Sequence, residues 1–187
     1  RLQGDWSSDV CSSDLPDLLT VHGRTVREMY RTEVHYDFIA RAVEAMPCPV
    51  LANGNVDSPE RALRVLSETG AHGLMLGRGA IRNPWLFEQI RAAVAGRAVV
   101  CPTGRQVMDY LRLLFETVTH EGYREEDRVH RVKKHLNFIG VGVEPAGEFL
   151  NRMRRTLTKQ AVFDVCAEFL DHDRPMPLAT PPASLAE

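Results

Sequence analysis

The stretch "CPVLANGNVDSPERALRVLSETGAHGLMLGR", from Cys48 to Arg78, decides the fold. Its first apolar run ends abruptly at Asn53-Gly54-Asn55, as a buried strand does on meeting a turn. Ser58 then suits a helix N-cap, Pro59 the first helical turn and Gly70 the C-terminal cap. A second apolar run, His72 to Arg78, follows directly. The same alternation extends both ways. Upstream, "LLTVHGR" (Leu18 to Arg24) is β-rich, and Tyr36 to Met46 places Phe38, Ile39, Ala42, Val43 and Met46 at helical spacing. Downstream, Asn83 to Gly96 reads as a helix capped by Asn83, opened by Pro84 and closed by Gly96. Apolar strands joined through helices imply a parallel sheet covered by those helices. Three such strands cannot close on themselves. They form either an open doubly wound sheet or the last units of a (β/α)₈ barrel, and both architectures place ligands outside the carboxyl ends of the strands. His22-Gly23-Arg24, Asn53-Gly54-Asn55 and Gly77-Arg78-Gly79 occupy those ends.

Residues 16–98 carry these units. After Arg105 the strands stop and four amphipathic segments follow, so 105–171 is expected to form an all-α domain. Residues 172–187 are proline-rich without periodicity, which predicts a disordered tail with no site. The opening segment is different in kind. "DWSSDVCSSDL" (Asp5 to Leu15) has no apolar period and matches a translated sequencing adapter, so residues 1–15 are expected to be non-native and Cys11 is assigned no chemistry. On that reading the native chain is a C-terminal fragment.

Composition excludes some classes. The longest apolar stretch, Ala92 to Val100, is interrupted at Gly96-Arg97 and falls short of the roughly 20 residues of a membrane span. Four scattered cysteines without a C-x-x-C pair argue against structural zinc and against a disulfide framework, making a reducing, cytoplasmic compartment the expectation.

Backbone N–H groups at a helix start hold phosphate economically, because they lack intrahelical partners and the helix dipole adds positive potential. Gly77-Arg78-Gly79 meets that need: glycine permits close approach and Arg78 adds a bidentate cation. The last two strands of a barrel are a frequent phosphate site, and Gly54 and Gly77 stand at both. The alternative is that these glycines only turn the chain. His22 would present its imidazole at the same strand ends, although a lone histidine is more often structural.

The net charge of −2 gives no hint of nucleic acid, but its distribution does. From Arg128 to Lys159 there are eight Lys and Arg against two acids. Arg128, Arg131 and His135 share one helical face, beside an apolar face of Val129, Val132, Leu136 and Ile139. Such a surface suits phosphates rather than base edges; the alternative is a solvated helix face.

Taken in order, "VHGRT", "CPVLANGNVDSPERA", "TGAHGLMLGRGAIRNPWLF" and "VKKHLNF" resemble the tRNA-dihydrouridine synthases from about Leu18 to Leu170. The resemblance implies an FMN-containing (β/α)₈ barrel followed by a helical domain, reducing the C5–C6 bond of particular tRNA uridines with NADPH as hydride source. It implies that His22 contacts the flavin ring, that Asn53, Gly54 and Asn55 contact the cofactor on its phosphate side, and that Gly77 and Arg78 bind its phosphate. It places Arg24 facing the RNA and makes Arg128, Arg131, Lys133 and Lys134 tRNA contacts, in a monomeric enzyme. Asn55 departs from the Asp or Gly common in the family. The family's proton-donating cysteine lies in an Asn-x-x-Gly-Cys-Pro loop that does not occur here, and Cys48 begins a strand at the wrong end. These 187 residues alone are therefore expected to be inactive. Two alternatives remain: another FMN barrel of dihydroorotate-dehydrogenase type, and a non-enzymatic RNA-binding remnant.

Overall fold

A computed structural model describes residues 16–28, 32–120, 122–144 and 146–179. The adapter-like segment 1–15 lies outside them. The described residues divide into two compact units: those up to Asn55 together with Arg64–Met75, and Val56–Leu63 together with those from Leu76 onward.

The first unit holds a three-stranded parallel sheet in the order β1 (Leu19–His22), β2 (Val50–Asn53), β3 (Gly73–Met75). Leu19 pairs with Val50, and His22 with Asn53, which in turn pairs with Met75. The register therefore brings His22 and Asn53 to the same level at the carboxyl ends. Val50 and Ala52 are fully buried on β2. Helix α1 (Tyr36–Ala45) contributes Ile39, also fully buried, a contribution of roughly 1.5–3 kcal/mol for such a side chain. Helix α2 (Pro59–Thr69) straddles the division. Its ends follow the expected chemistry: the Arg61 N–H donates to Ser58 Oγ at 3.2 Å, and Gly70 at φ +65° donates its N–H to the Leu66 carbonyl at 3.0 Å.

The second unit is helical, and its boundary corrects the expected one near residue 98. It takes in Val56–Leu63, α3 (Arg78–Arg82) and α4 (Leu86–Val94), along with α5 (Gly104–Val118), α6 (Glu125–Val143), α7 (Glu148–Arg155) and α8 (Lys159–Leu170). The cause is tertiary: α3 packs on α6, and the Tyr110 hydroxyl donates to the Ile81 carbonyl at 2.9 Å. The core of α5 to α8 gathers Leu111, Phe115, Leu136, Ile139, Phe149 and Leu170, all nearly inaccessible. Thr103 opens α5 with a reciprocal capping box to Gln106.

Two further expectations need correction. Asn83 does not cap α4, whose N-cap position is Trp85; its side-chain NH₂ donates instead to Gln89 Oε1 at 2.7 Å, and its main chain ends α3. The described part of the expected disordered tail is docked: Met176 and Leu178 are buried in the helical core. The Met176 N–H donates to the Pro102 carbonyl at 2.7 Å, and Thr103 bridges Pro175. Two apolar side chains and a few backbone bonds suffice to dock a segment that has no period of its own.

Candidate functional site

The amides flanking Gly54 tie the strand ends together. The Asn53 side chain donates to the Met75 carbonyl at 3.2 Å, linking β2 to β3. The Asn55 side-chain oxygen accepts from Arg24 Nη1 at 3.2 Å, linking the same turn to the chain after β1. Gly54 sits at φ +138°, where a side chain is strained, and its carbonyl accepts from the Tyr36 hydroxyl at 2.9 Å. Asn55 follows at φ +51°, a left-handed conformation that asparagine tolerates better than most residues. A strand ending in two amides around a glycine is thus a bonded hub joining three strand ends within the first unit.

His22 is exposed at the end of β1, and its Nδ1 accepts the Arg24 N–H at 3.1 Å. With Nδ1 accepting, the ring hydrogen lies on Nε2, a donor on the far side of the ring. Arg24 is also held from the other side, donating through Nε to the Thr32 carbonyl at 2.8 Å. Beyond it, Glu28 accepts from the Thr25 N–H at 2.7 Å and lies 2.7 Å from His35 Nε2. The Thr25 backbone bond foremost, then the bonds from His35 and the Thr25 hydroxyl, lower the Glu28 carboxyl to about 2.

Gly77 and Arg78 belong to the second unit. Open space surrounds the position a Gly77 side chain would take, and Arg78 is exposed. The residue after them shows a reason for the second glycine of the turn that the sequence does not announce: a Cβ at Gly79 would collide with the Val56 carbonyl. The helix dipole expected here is not supplied by α3, which at five residues is too short. What this turn offers is the exposed Arg78 guanidinium and open space where a Gly77 side chain would stand. Exposed guanidinium beside open glycine backbone is a donor set that fits a phosphate.

The basic residues of α6 divide into two groups. Arg128 is tied down: its Nε donates to Thr119 Oγ1 at 3.2 Å, its Nη2 pairs with Glu116 at 3.5 Å, and its guanidinium lies over the Phe115 ring. Lys133 donates to the carbonyls of Arg154 and Thr156, closing the C-terminal end of α7. Burial pushes its ammonium pKa down. Arg131 and Lys134 are exposed, with Arg131 stacked at 4.5 Å over Tyr123. Val129, Val132, Leu136 and Ile139 occupy the buried face, as their spacing predicts.

Comparison with known proteins bears on these features together. The family model described as dihydrouridine synthase matches residues 16–173. The tRNA-dihydrouridine synthase B of Vibrio parahaemolyticus is 37% identical over 131 residues, 70% of this chain and 41% of that protein. That of Pseudomonas syringae pv. tomato is 37% identical over 144 residues, 74% of this chain and 42% of the relative. A probable tRNA-dihydrouridine synthase of Rickettsia conorii is 30% identical over 161 residues, 86% and 48% respectively. The chain thus spans less than half the length of these curated relatives. Among the described residues no helix is long and apolar enough to cross a membrane, and no cluster of His, Cys, Asp and Glu could hold a metal ion. A match running from before β1 to beyond α8 covers the strand-end turns and the helices alike, and the chain belongs to the dihydrouridine synthase family.

Proposed function

We propose that this chain carries the phosphate side of the flavin site, and part of the tRNA-binding surface, of a tRNA-dihydrouridine synthase. The observation carrying this reading is the family match over residues 16–173, which includes every strand-end turn named above. The cofactor would be FMN, which when bound would supply hydride chemistry for the uridine C5–C6 bond, with NADPH as the source of the reducing equivalents. His22 would offer its Nε2 hydrogen to the flavin ring, and the Asn53-Gly54-Asn55 turn would hold the cofactor on its phosphate side. Gly77 and Arg78 would bind the phosphate itself. The three strands belong to a (β/α)₈ barrel, and the uridine leaves its stack to reach the flavin.

On the RNA side, Arg131 and Lys134 are the proposed phosphate contacts. Arg128 and Lys133 serve that surface indirectly, by fixing α6 against its neighbours, and Arg24 contributes through its bond to Asn55. The proton donor to the uracil ring is a cysteine outside these 187 residues, so activity belongs to the complete protein, a cytoplasmic monomer. The family match over the helices as well as the turns favours this reading over a dihydroorotate-type barrel. The test is purification of the complete protein, scored for bound FMN by absorbance and for dihydrouridine in tRNA by mass spectrometry. Bound flavin with NADPH-dependent dihydrouridine formation is expected; a colourless protein inactive on tRNA would refute the proposal.

A further inference from the structure

The second unit contains a half-buried cation that the reading above does not use. The Arg82 side chain is 12% exposed and sits four residues after Arg78 on α3. Its Nη1 lies 3.5 Å from the Asp57 carboxylate, itself 15% exposed, and its Nε donates to the Phe138 carbonyl of α6 at 3.1 Å. Asp57 also pairs with Arg61 at 3.1 Å, one turn along on the same segment. One guanidinium therefore joins three stretches of chain: the segment two residues beyond Asn55, the short helix that carries Arg78, and the main chain of α6.

A buried arginine is costly unless its donors are satisfied and a carboxylate faces it. Hydrophobic residues of similar volume would commonly hold three segments together at least as well. What an arginine adds is a fixed planar fork that sets direction. Burial pushes the Arg82 pKa down and Asp57 pulls it back up, with Arg78 close enough to repel it. The neighbourhood thus brings a second cation up to the one proposed to grip phosphate, and Asp57 offsets the cost. Gly79 packs directly on the Val56 main chain, so a shift at Asp57 passes straight into α3. The five residues of α3 cannot hold their own orientation as a longer helix would.

We propose that Asp57 and Arg82 form a positioning pair that fixes α3, and with it the Arg78 guanidinium, in the geometry that binds the cofactor phosphate. This rests on the assignment of Arg78 to that phosphate. The pair touches neither cofactor nor substrate; it acts through Arg78. Outer-layer partners that orient a binding group commonly cost about 10- to 100-fold in affinity when removed, and a loss in that range is expected here.

The test uses the complete protein, stripped of flavin and titrated with FMN while flavin fluorescence is followed. Arg82→Lys keeps the charge and removes the fork; Asp57→Asn keeps the shape and removes the charge. Both are expected to raise the FMN dissociation constant at least 10-fold, with the protein still folded by circular dichroism. In a double-mutant cycle with Arg78→Ala, the Arg82→Lys effect should largely vanish, because its route to the phosphate has been removed. A lowered melting temperature with unchanged FMN affinity would reduce the pair to a structural role and overturn the proposal. Full additivity with Arg78→Ala would overturn it too. If Arg78→Ala alone leaves FMN affinity unaltered, the assignment of Arg78 is wrong and this inference falls with it, whereas loss on Arg78→Ala without loss on Arg82→Lys refutes the inference alone.

Discussion

Neutralising the two exposed cations of α6 should change tRNA binding in a way that neutralising their neighbours does not. Each phosphate contact releases counterions, so the slope of log affinity against log salt scales with contact number at about 0.7 to 0.9 per contact. Arg131 and Lys134 are exposed, so replacing both with glutamine should flatten the slope by roughly 1.5. Lys133, between them in sequence, predicts the opposite profile. Its ammonium closes α7 through the carbonyls of Arg154 and Thr156, and removing it leaves those acceptors without their donor. Loss of such charge-assisted bonds costs about 1–3 kcal/mol, a melting shift of several degrees for a unit of this size. The assay is filter binding of tRNA to the complete protein from 50 to 200 mM salt, beside thermal melts of the same variants. Lys133→Gln should lower the melting temperature and leave the salt slope unchanged. A flattened slope for Lys133→Gln, or an unchanged one for the Arg131/Lys134 pair, would refute the division of α6 into binding and structural cations.

Other expectations concern stability and titration. Leu178 is 1% exposed in the helical core, so Leu178→Ala should destabilise the second unit by about 2–4 kcal/mol in a denaturant melt, whereas a disordered tail would show no change. Cys166 is fully buried, and burial raises its thiol to about 12 against a small opposing effect of Arg112. At pH 8 it should resist a thiol reagent until the protein unfolds, while the partly exposed Cys48 and Cys101 react; mass spectrometry of labelled peptides reads this directly. Glu28 has its folded carboxyl depressed from 4.5 to about 2. Its bonds to Thr25 and His35 should therefore be present in full above the ordinary carboxylate range and lost as pH falls toward 2. A carboxyl carbon titration by NMR with a midpoint near 4.5 would contradict that arrangement.

The repeating strand and helix pattern was legible because it rests on local rules. Apolar runs between Pro49 and Asn53 and between His72 and Met75 have one reading next to capped helices, and the caps at Ser58 and Gly70 form the bonds that their residue types predict. Charge was less legible. Arg128, Arg131, Lys133 and Lys134 are equivalent in composition, yet two are consumed by Glu116, Thr119 and the end of α7. Those partners lie 9 to 23 positions away, beyond what helical spacing can report. Asn83 misled for a similar reason. Asparagine before proline is a cap signature, and only the approach of Gln89 shows its side chain turned to another use.

From the order of residues alone came the βα units, the helical second half, the strand-end turns and the family resemblance, because periodicity, capping and motif order are properties of neighbouring positions. Tertiary structure decided the rest. It assigned α3 and α4 to the helical unit, docked Met176 and Leu178 on the core, and turned Asn53 and Asn55 into bonds between strand ends. It also set Arg82, half-buried, between Asp57 and the Phe138 carbonyl. Each of these outcomes depends on a partner 20 or more residues away, and burial and pairing exist only once the chain has brought those partners within a few ångströms.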